Sequence, residues 1–230
     1  MAQDIPIDTY DIQARDADNE SMGTLYSVYL KGENTWTAFG VAALPDNADL
    51  RFEDDFSNNR NNWGSSGNTP ETTYYPPTDG EFCLQMKNDN WIAWEWYEPF
   101  RTDEFFAQTY CTTDNAYSGC SLGFGPDGDN VYWFSIVPET QEFYLGLLVN
   151  DVWQDHLIDW TEAKSIDPNA GNYLAMGRVG GVVTLYVNGT LVGEVANDLF
   201  PTGRIGVGGE TFDEPNVTVC LDELKVWQVR

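Results

Sequence analysis

Basic residues are scarce in this chain. It carries 11 Lys and Arg against 37 Asp and Glu, so its formal net charge is −26. Such a surplus repels the phosphates of nucleic acids and the headgroups of anionic lipids over the distances that steer association. We therefore expect no nucleic-acid partner and no binding to a membrane surface. A solubilising surface without any site is the other interpretation of the same acidity.

Long apolar runs and a leader segment are also missing. No run approaches the roughly 18 apolar residues that span a bilayer, which predicts a soluble chain without membrane insertion. The first six residues, MAQDIP, have neither the basic nor the apolar region of a signal peptide. Export remains compatible with this start if the chain is written in its mature form.

Histidine occurs once, at His156, and no Cys-x-x-Cys spacing occurs, so the sequence fits no zinc pattern. The four cysteines permit three pairings if all are oxidised. Cys111 and Cys120 bracket a short polar loop, which leaves Cys83 and Cys220 to join an early strand to the last one. Two disulfides predict an extracellular or cell-surface protein. The alternative is four buried free thiols in a cytosolic protein.

Aromatic residues, by contrast, make up 14% of the chain, which is typical of a globular protein and not of a disordered acidic one. Helical periodicity is hard to find, whereas short runs rich in Val, Ile, Tyr, Phe and Trp recur between clusters of Gly, Pro, Asn and Asp. The pattern predicts an all-β fold built as a two-sheet antiparallel sandwich. The predicted strands are residues 25–30, 35–42, 50–56, 82–87, 91–97, 104–111, 120–125, 130–137, 142–149, 172–179, 181–187, 190–196, 204–208 and 217–228.

Two parts of the sequence carry a family resemblance. Residues 50–57, LRFEDDFS, resemble the opening strand of the concanavalin A-like lectin and glucanase superfamily, and residues 184–192, 203–208 and 219–226 resemble the closing hairpin and strand of its laminin G-like and keto-disaccharide hydrolase-like modules. The resemblance implies a jelly-roll sandwich over residues 46–230. Residues 1–45 lie outside it, and we expect them to add a strand pair, to form a tail that pairs with a neighbouring subunit, or to be a linker remnant.

The resemblance to glucanases raises the question of catalysis, because those enzymes place carboxylates in the order Glu-x-Asp followed by a second Glu. In this chain the one Glu-x-Asp, at residues 53–55, has no second Glu behind it. Glu95 and Glu98 are three residues apart, which on a strand sends them to opposite faces. A Ser-His-Asp site would depend on His156, but the sequence contains no Gly-x-Ser-x-Gly motif for the serine. The ordinary interpretation of His156 is a solitary, exposed histidine. The sequence predicts no enzyme.

The resemblance also implies a structural calcium ion, which members of the superfamily hold near the first strand and an Asp of the last. Asp222 stands at the matching place, and Asp54 or Asp55 would be its neighbours. Calcium takes six to eight oxygen ligands, which carboxylates supply. The alternative is that Asp222 accepts backbone hydrogen bonds while Asp54 and Asp55 are solvated.

Clustered aromatic residues are the candidates for sugar contact, since indole and phenol faces stack on the CH face of a pyranose. Alternation puts Trp94 and Trp96 on one face of a strand and Trp91 and Tyr97 on the other, so one pair should face outward. The alternative is that all of them fill the core of a large sandwich. The predicted carbohydrate-binding residues are Trp94, Trp96, Tyr132 and Trp133.

Together these features predict a non-catalytic extracellular carbohydrate-binding or adhesion module, whose partner is a glycan or cell-surface polysaccharide. Trp153 and Trp160 are predicted to be structural, because their hairpin resembles one common in bacterial versions of the module. Two alternatives remain open. One is a structural subunit of a surface layer or filament that binds copies of itself through residues 1–45, and the other is an atypical glycoside hydrolase using Glu95 and Glu98.

Overall fold

The computed structural model describes residues 9–15, 21–29, 44, 48–65, 67–78, 80–97 and 101–230, and for the first two ranges it describes the backbone. The predicted strand at 35–42 and the residue Glu98 lie outside these ranges. Within them, no helix is long and apolar enough to cross a bilayer.

Seventeen strands make up the described part of the chain. They are β1 (Thr9–Arg15), β2 (Ser21–Tyr29), β3 (Ala48–Asp54), β4 (Thr72–Thr78), β5 (Glu81–Met86), β6 (Ile92–Trp96), β7 (Phe105–Thr113), β8 (Ser118–Asp127), β9 (Asn130–Val137), β10 (Glu142–Val149), β11 (Val152–Trp153), β12 (Ile158–Glu162), β13 (Asn172–Val179), β14 (Val182–Val187), β15 (Thr190–Ala196), β16 (Arg204–Thr211) and β17 (Val217–Val229).

The strands form two large antiparallel sheets. The first has seven strands, in the order β11-β10-β9-β8-β16-β6 with β12 also paired to β10. The second has eight strands, in the order β15-β14-β13-β7-β17-β5-β4 with β3 also paired to β17. This architecture confirms the predicted all-β jelly-roll sandwich. Strands β1 and β2 pair with each other as a sheet of their own.

The core lies between the two large sheets, and alternation along each strand places it there. In β5, Phe82 and Leu84 are buried, whereas Cys83 and Gln85 are half-buried on the outer face of the sheet. Side chains on alternate positions of a strand point to opposite faces, so each strand contributes every second residue to the core. Burying a side chain the size of phenylalanine or leucine contributes about 1.5 to 3 kcal/mol relative to exposing it.

An Asn-Gly turn connects two strands of the eight-stranded sheet. Asn188 and Gly189 have φ angles of 48° and 75° and connect β14 to β15. Both residues of a two-residue hairpin of this kind need a positive φ, which asparagine and glycine adopt at the lowest cost.

The cysteines pair as predicted, and the alternative of free thiols is wrong. Cys111 of the eight-stranded sheet is bonded to Cys120 of the seven-stranded sheet, so this disulfide crosses the core. Cys83 and Cys220 lie opposite each other on the neighbouring strands β5 and β17, with their Cα atoms 4.1 Å apart. One disulfide therefore connects the two layers, and the other fastens the last strand within its own sheet.

Candidate functional site

The outer face of the seven-stranded sheet carries an apolar cluster that is separate from the core. Trp133 and Tyr144, from the adjacent strands β9 and β10, are buried there, and Trp94 and Trp96 of β6 are half-buried beside them. The outer face of an antiparallel sheet is ordinarily polar where it meets water. We call this surface the aromatic face; its members are Ile92, Trp94, Trp96, Val131, Trp133, Tyr144 and Leu148.

Glycines in the two central strands let the indoles lie flat on the sheet. A Cβ atom on Gly206 of β16 would be 2.6 Å from the Trp96 ring, and one on Gly123 of β8 would be 3.1 Å from the Trp133 ring. The Trp94 and Trp133 rings are 5.5 Å apart. The rings therefore cover the middle of the sheet, although the strands beneath them contribute no side chain at these positions.

A hairpin at the edge of this sheet extends the aromatic face. Residues 152–162 hold β11 and β12, which both pair with β10. The Trp160 ring is 4.5 Å from the Tyr144 ring, and the Trp153 ring lies over Gly146. Trp153 is 42% exposed and Trp160 39% exposed. The sequence predicted a structural role for both, yet they present large apolar surfaces to solvent because they sit on top of the sheet and not inside the sandwich.

A carboxyl group lies beneath these rings. Glu210 of β16 is 4% exposed, and the Tyr144 hydroxyl donates a hydrogen bond to its Oε2 at 2.9 Å. Its Oε1 has no hydrogen-bond partner among the described residues. Burial raises the pKa of Glu210 to about 7, and the nearby hydroxyls of Ser135 and Tyr144 act in the opposite direction. Burial therefore favours the protonated form of this carboxyl more than that of an exposed glutamate.

A buried arginine side chain also lies on this face. The guanidinium of Arg204 stacks on the Trp96 ring at 5.4 Å from its centroid, and the residue is buried. An arginine over an indole gains cation–π attraction while the indole loses exposed surface. The charge of Arg204 is thus held within the aromatic face and away from solvent.

The structure separates the four residues predicted to contact sugar. Trp94, Trp96 and Trp133 share the aromatic face, and Trp91 and Tyr97 pack against the core, so the outward pair is Trp94 and Trp96. Placing Tyr132 with them was wrong. As the neighbour of Trp133 in a strand, it must point to the opposite side, and it is 0% exposed in the core.

The residues predicted to hold calcium are only partly together. Both carboxylate oxygens of Asp54 are used by the loop that follows β3, because Oδ1 accepts from the Phe56 amide and Oδ2 accepts from Asn61 and from the Trp63 indole. Asp54 is also buried, and three hydrogen bonds orient its carboxylate toward this loop. This role of Asp54 is a property of the loop that the sequence does not reveal.

Asp222 and Asp55, by contrast, lie close enough for their charges to interact. Burial raises the pKa of Asp222 to about 6, and the carboxylates of Glu223, Glu81 and Asp55 raise it further. The Ser57 amide and hydroxyl lower the pKa of Asp55 and keep it ionised. Sequence reasoning missed Glu81, which begins β5 far from Asp222 along the chain and reaches it through the pairing of β5 with β17.

Of the residues considered for catalysis, Glu95 and His156 lie in the described part of the chain, Glu95 on β6 and His156 in the hairpin at residues 152–162. Glu95 is buried on the side of β6 that faces away from Trp94 and Trp96, and the Ser65 hydroxyl is 3.4 Å from its Oε1. His156 stacks on Tyr144 and lies 3.3 Å from an oxygen of Asp159 in the exposed hairpin. The histidine therefore belongs to the edge of the aromatic face.

Comparison by sequence finds no matching family model and no matching curated protein. Solved structures do resemble this one. SCLam, a non-specific endo-β-1,3(4)-glucanase of family GH16, is similar over 84% of this chain and 98% of its own, with a TM-score of 0.58 and 9% identity. An endo-β-1,3-glucanase from Pyrococcus furiosus covers 80% of this chain and 95% of its own, with a TM-score of 0.57 and 9% identity. A κ-carrageenase from Zobellia galactanivorans covers 83% and 99%, with a TM-score of 0.55 and 13% identity. Likeness at these identities shows the fold alone.

Proposed function

We propose, from the premise that this chain has the concanavalin A-like lectin and glucanase fold, that it is an extracellular, non-catalytic carbohydrate-binding module whose ligand lies on the aromatic face. The observation that carries this proposal is the exposure of Trp153 and Trp160 beside a continuous layer of aromatic rings. A contiguous apolar patch on the surface of a folded domain is often a binding site.

The chemistry of the face suits a sugar. Indole rings stack on the CH face of a pyranose, and polar side chains around them accept and donate hydrogen bonds to its hydroxyls. Gln154 and Asp155 are exposed on the same hairpin as the two tryptophans. An oligosaccharide could therefore contact apolar and polar groups of one short segment at the same time.

Two further observations support the proposal. Several solved structures with this fold are described as glucanases or a carrageenase, so the fold is compatible with glycan partners. The two disulfides support a location outside the cytosol, where thiols are not kept reduced.

The proposal is tested by a glycan-array experiment with the full chain and with Trp153→Ala and Trp160→Ala. We expect wild-type protein to bind at least one class of glycan, and each substitution to weaken that binding roughly tenfold because a stacking surface is lost. Leu199→Ala is the matched control, since Leu199 is 51% exposed and lies between β15 and β16. Absence of binding by wild type, or equal binding by the tryptophan variants, would contradict the proposal.

The non-catalytic part of the proposal has its own assay. Retaining and inverting glycosidases need two carboxyl groups on either side of the bond they cleave, whereas the polar side chains next to Glu210 are the hydroxyls of Tyr144 and Ser135. We expect no release of reducing sugar from bound polysaccharides. Release that disappears in Glu210→Gln would show that the protein is a hydrolase.

We also propose a structural calcium ion on the other sheet, held by Asp222 with Asp55 and Glu81. The support is the half-buried carboxylate of Asp222, whose neighbours within interaction range are other carboxylates. A divalent cation would neutralise them, and oxygen ligands of this type are those that calcium takes.

A further inference from the structure

Acidic residues surround the exposed tryptophans of the aromatic face. Between residues 151 and 162, the hairpin that carries Trp153 and Trp160 has four acidic residues and neither lysine nor arginine. All four are exposed; they are Asp151, Asp155, Asp159 and Glu162. The two exposed indoles therefore lie among the carboxylates of their own hairpin.

Asp159 directly precedes Trp160, one of the two exposed tryptophans. Its Oδ1 accepts a hydrogen bond from the Trp160 amide at 2.9 Å, and this bond together with the nearby His156 lowers the pKa of Asp159. A carboxylate with a lowered pKa stays ionised in mildly acidic solution. The charge beside Trp160 is thus present over a wide range of pH.

Further carboxylates adjoin both ends of the hairpin. At one end the amide of Asp151 donates to the backbone oxygen of Asp129, in a turn that also holds Asp127. At the other end Trp160 contacts Phe212, which is followed by the exposed residues Asp213 and Glu214. Acidic side chains therefore continue around the exposed indoles from one turn to the next.

Little positive charge offsets these groups. Lys164 forms an ion pair with Glu162, and Arg204 is buried on Trp96. His156 lies 3.3 Å from an oxygen of Asp159, and Arg101 donates a hydrogen bond to the backbone oxygen of Pro126, so these two groups and Lys164 are outnumbered by the exposed carboxylates. Beneath the rings, the unpartnered Oε1 of Glu210 adds a further acceptor. Exposed indoles among carboxylates attract cations through the ring face and through charge, and they repel anions.

We propose that the ligand of the aromatic face is a cationic glycan: a polymer of amino sugars whose amines are free and protonated. This inference rests on the proposed function. The CH face of each pyranose stacks on Trp153 or Trp160, while its ammonium group lies near Asp155 or Asp159 and next to an indole face. Sulfated and uronic-acid polysaccharides are excluded by the same carboxylates.

The experiment is calorimetric titration of the full chain, at mildly acidic pH, with three oligosaccharides of equal length: a glucosamine oligomer, its N-acetylated form and a cello-oligosaccharide. We expect the glucosamine oligomer to bind about tenfold more tightly than the other two, and its affinity to fall as salt is added. Asp155→Asn and Asp159→Asn should each weaken binding of the glucosamine oligomer roughly two- to fivefold, and should weaken binding of the N-acetylated oligomer less than that.

Two kinds of control separate specific recognition from general attraction between opposite charges. Trp153→Ala and Trp160→Ala keep the net charge, so undiminished binding of the glucosamine oligomer to them would overturn the inference. Glu53→Gln removes an exposed carboxylate on the other sheet and should bind as wild type does. Equal affinity for the neutral oligomers would overturn the inference and leave the proposed function standing, whereas binding of none of the three, together with a silent glycan array, would overturn both.

Discussion

Glu210 is an acid whose surroundings favour its neutral form. It is 4% exposed, and the Tyr144 hydroxyl donates a hydrogen bond to it. Because burial raises its folded-state pKa above the ordinary glutamate value, the folded protein retains a proton that the unfolded chain releases. The stabilising effect of that proton is complete below about pH 4.5 and is lost as the pH rises through about 7.

Replacing Glu210 by glutamine should remove this dependence. Glutamine stays neutral, so we expect Glu210→Gln to gain stability relative to wild type as the pH rises from about 4.5 to 7, by on the order of 1 to 3 kcal/mol. Urea unfolding at a series of pH values measures the difference, with Glu53→Gln as the exposed control. A constant difference across that range would show that Glu210 titrates normally in the folded state.

At the scale of elements, a bulge in β17 shapes the proposed calcium site. The register of β17 against β7 shifts between Asp222 and Lys225, and Glu223 has a φ of 50°. Bulges redirect side chains locally, and a positive φ at a glutamate is strained backbone that the surrounding pairing must hold. At the bulge, Asp222 and Glu223 are two consecutive half-buried residues in the middle of β17, where strict alternation would bury one of them.

A calcium ion at this bulge should be visible in thermal unfolding. We expect wild type to melt at a higher temperature in calcium than in chelator, because an ion bound by the folded state stabilises it. Asp222→Asn should abolish the difference. Asp127→Asn should preserve it, since Asp127 caps its own turn through Asp129 and Asn130. Identical melting of wild type in both solutions would refute the site.

Most of the β-strands could be predicted from the sequence, but which face of a strand points outward could not. Alternation separated Trp94 and Trp96 from Trp91 and Tyr97, but both pairs are equally apolar, so only packing of the sheets shows which is outside. Strand β4 was not predicted because it contains Pro76 and Pro77. Prolines are tolerated there since β4 lies at the edge of its sheet, where one side of the strand needs no N–H donors.

Glu210 was missed for a different reason. Its hydrogen-bond partner Tyr144 is 66 residues away in sequence, and two strands lie between them in the sheet, so no local pattern connects them. The exposure of Trp153 and Trp160 was likewise hidden, because it depends on how the hairpin pairs with β10 at the edge of the sheet. The cysteine pairing could be predicted because a nine-residue separation favours closure of the short loop.

For the molecule as a whole, the sheets divide the chain into two parts: the segment that contains β1 and β2, and the segment that forms the two large sheets. Every strand of the two large sheets lies at or after Ala48, and both disulfides lie there too. Strands β1 and β2 form a separate two-stranded sheet, an arrangement that is marginally stable by itself in water. Leu44 nevertheless packs against the apolar cluster of Phe106 and Trp227 on the outer face of the eight-stranded sheet.

A chain that begins at residue 44 should therefore fold as the complete one does. We expect its melting temperature to stay within a few degrees of the full chain, and its glycan binding to be unchanged. Light scattering over a range of concentrations gives a second readout, because assembly of the full chain that disappears in the shorter one would favour the surface-layer alternative. A large drop in melting temperature would show that the first 43 residues belong to the folded core.

The glycines beneath Trp96 and Trp133 also limit which positions can be substituted in evolution without disturbing the aromatic face. The residues that support the aromatic face belong to β8 and β16, whereas the residues available to a ligand belong to the hairpin at residues 152–162. Any side chain added at Gly206 would displace an indole, so selection for a new ligand has little freedom in the central strands. A library directed to the hairpin could alter specificity while the sandwich below it stays intact.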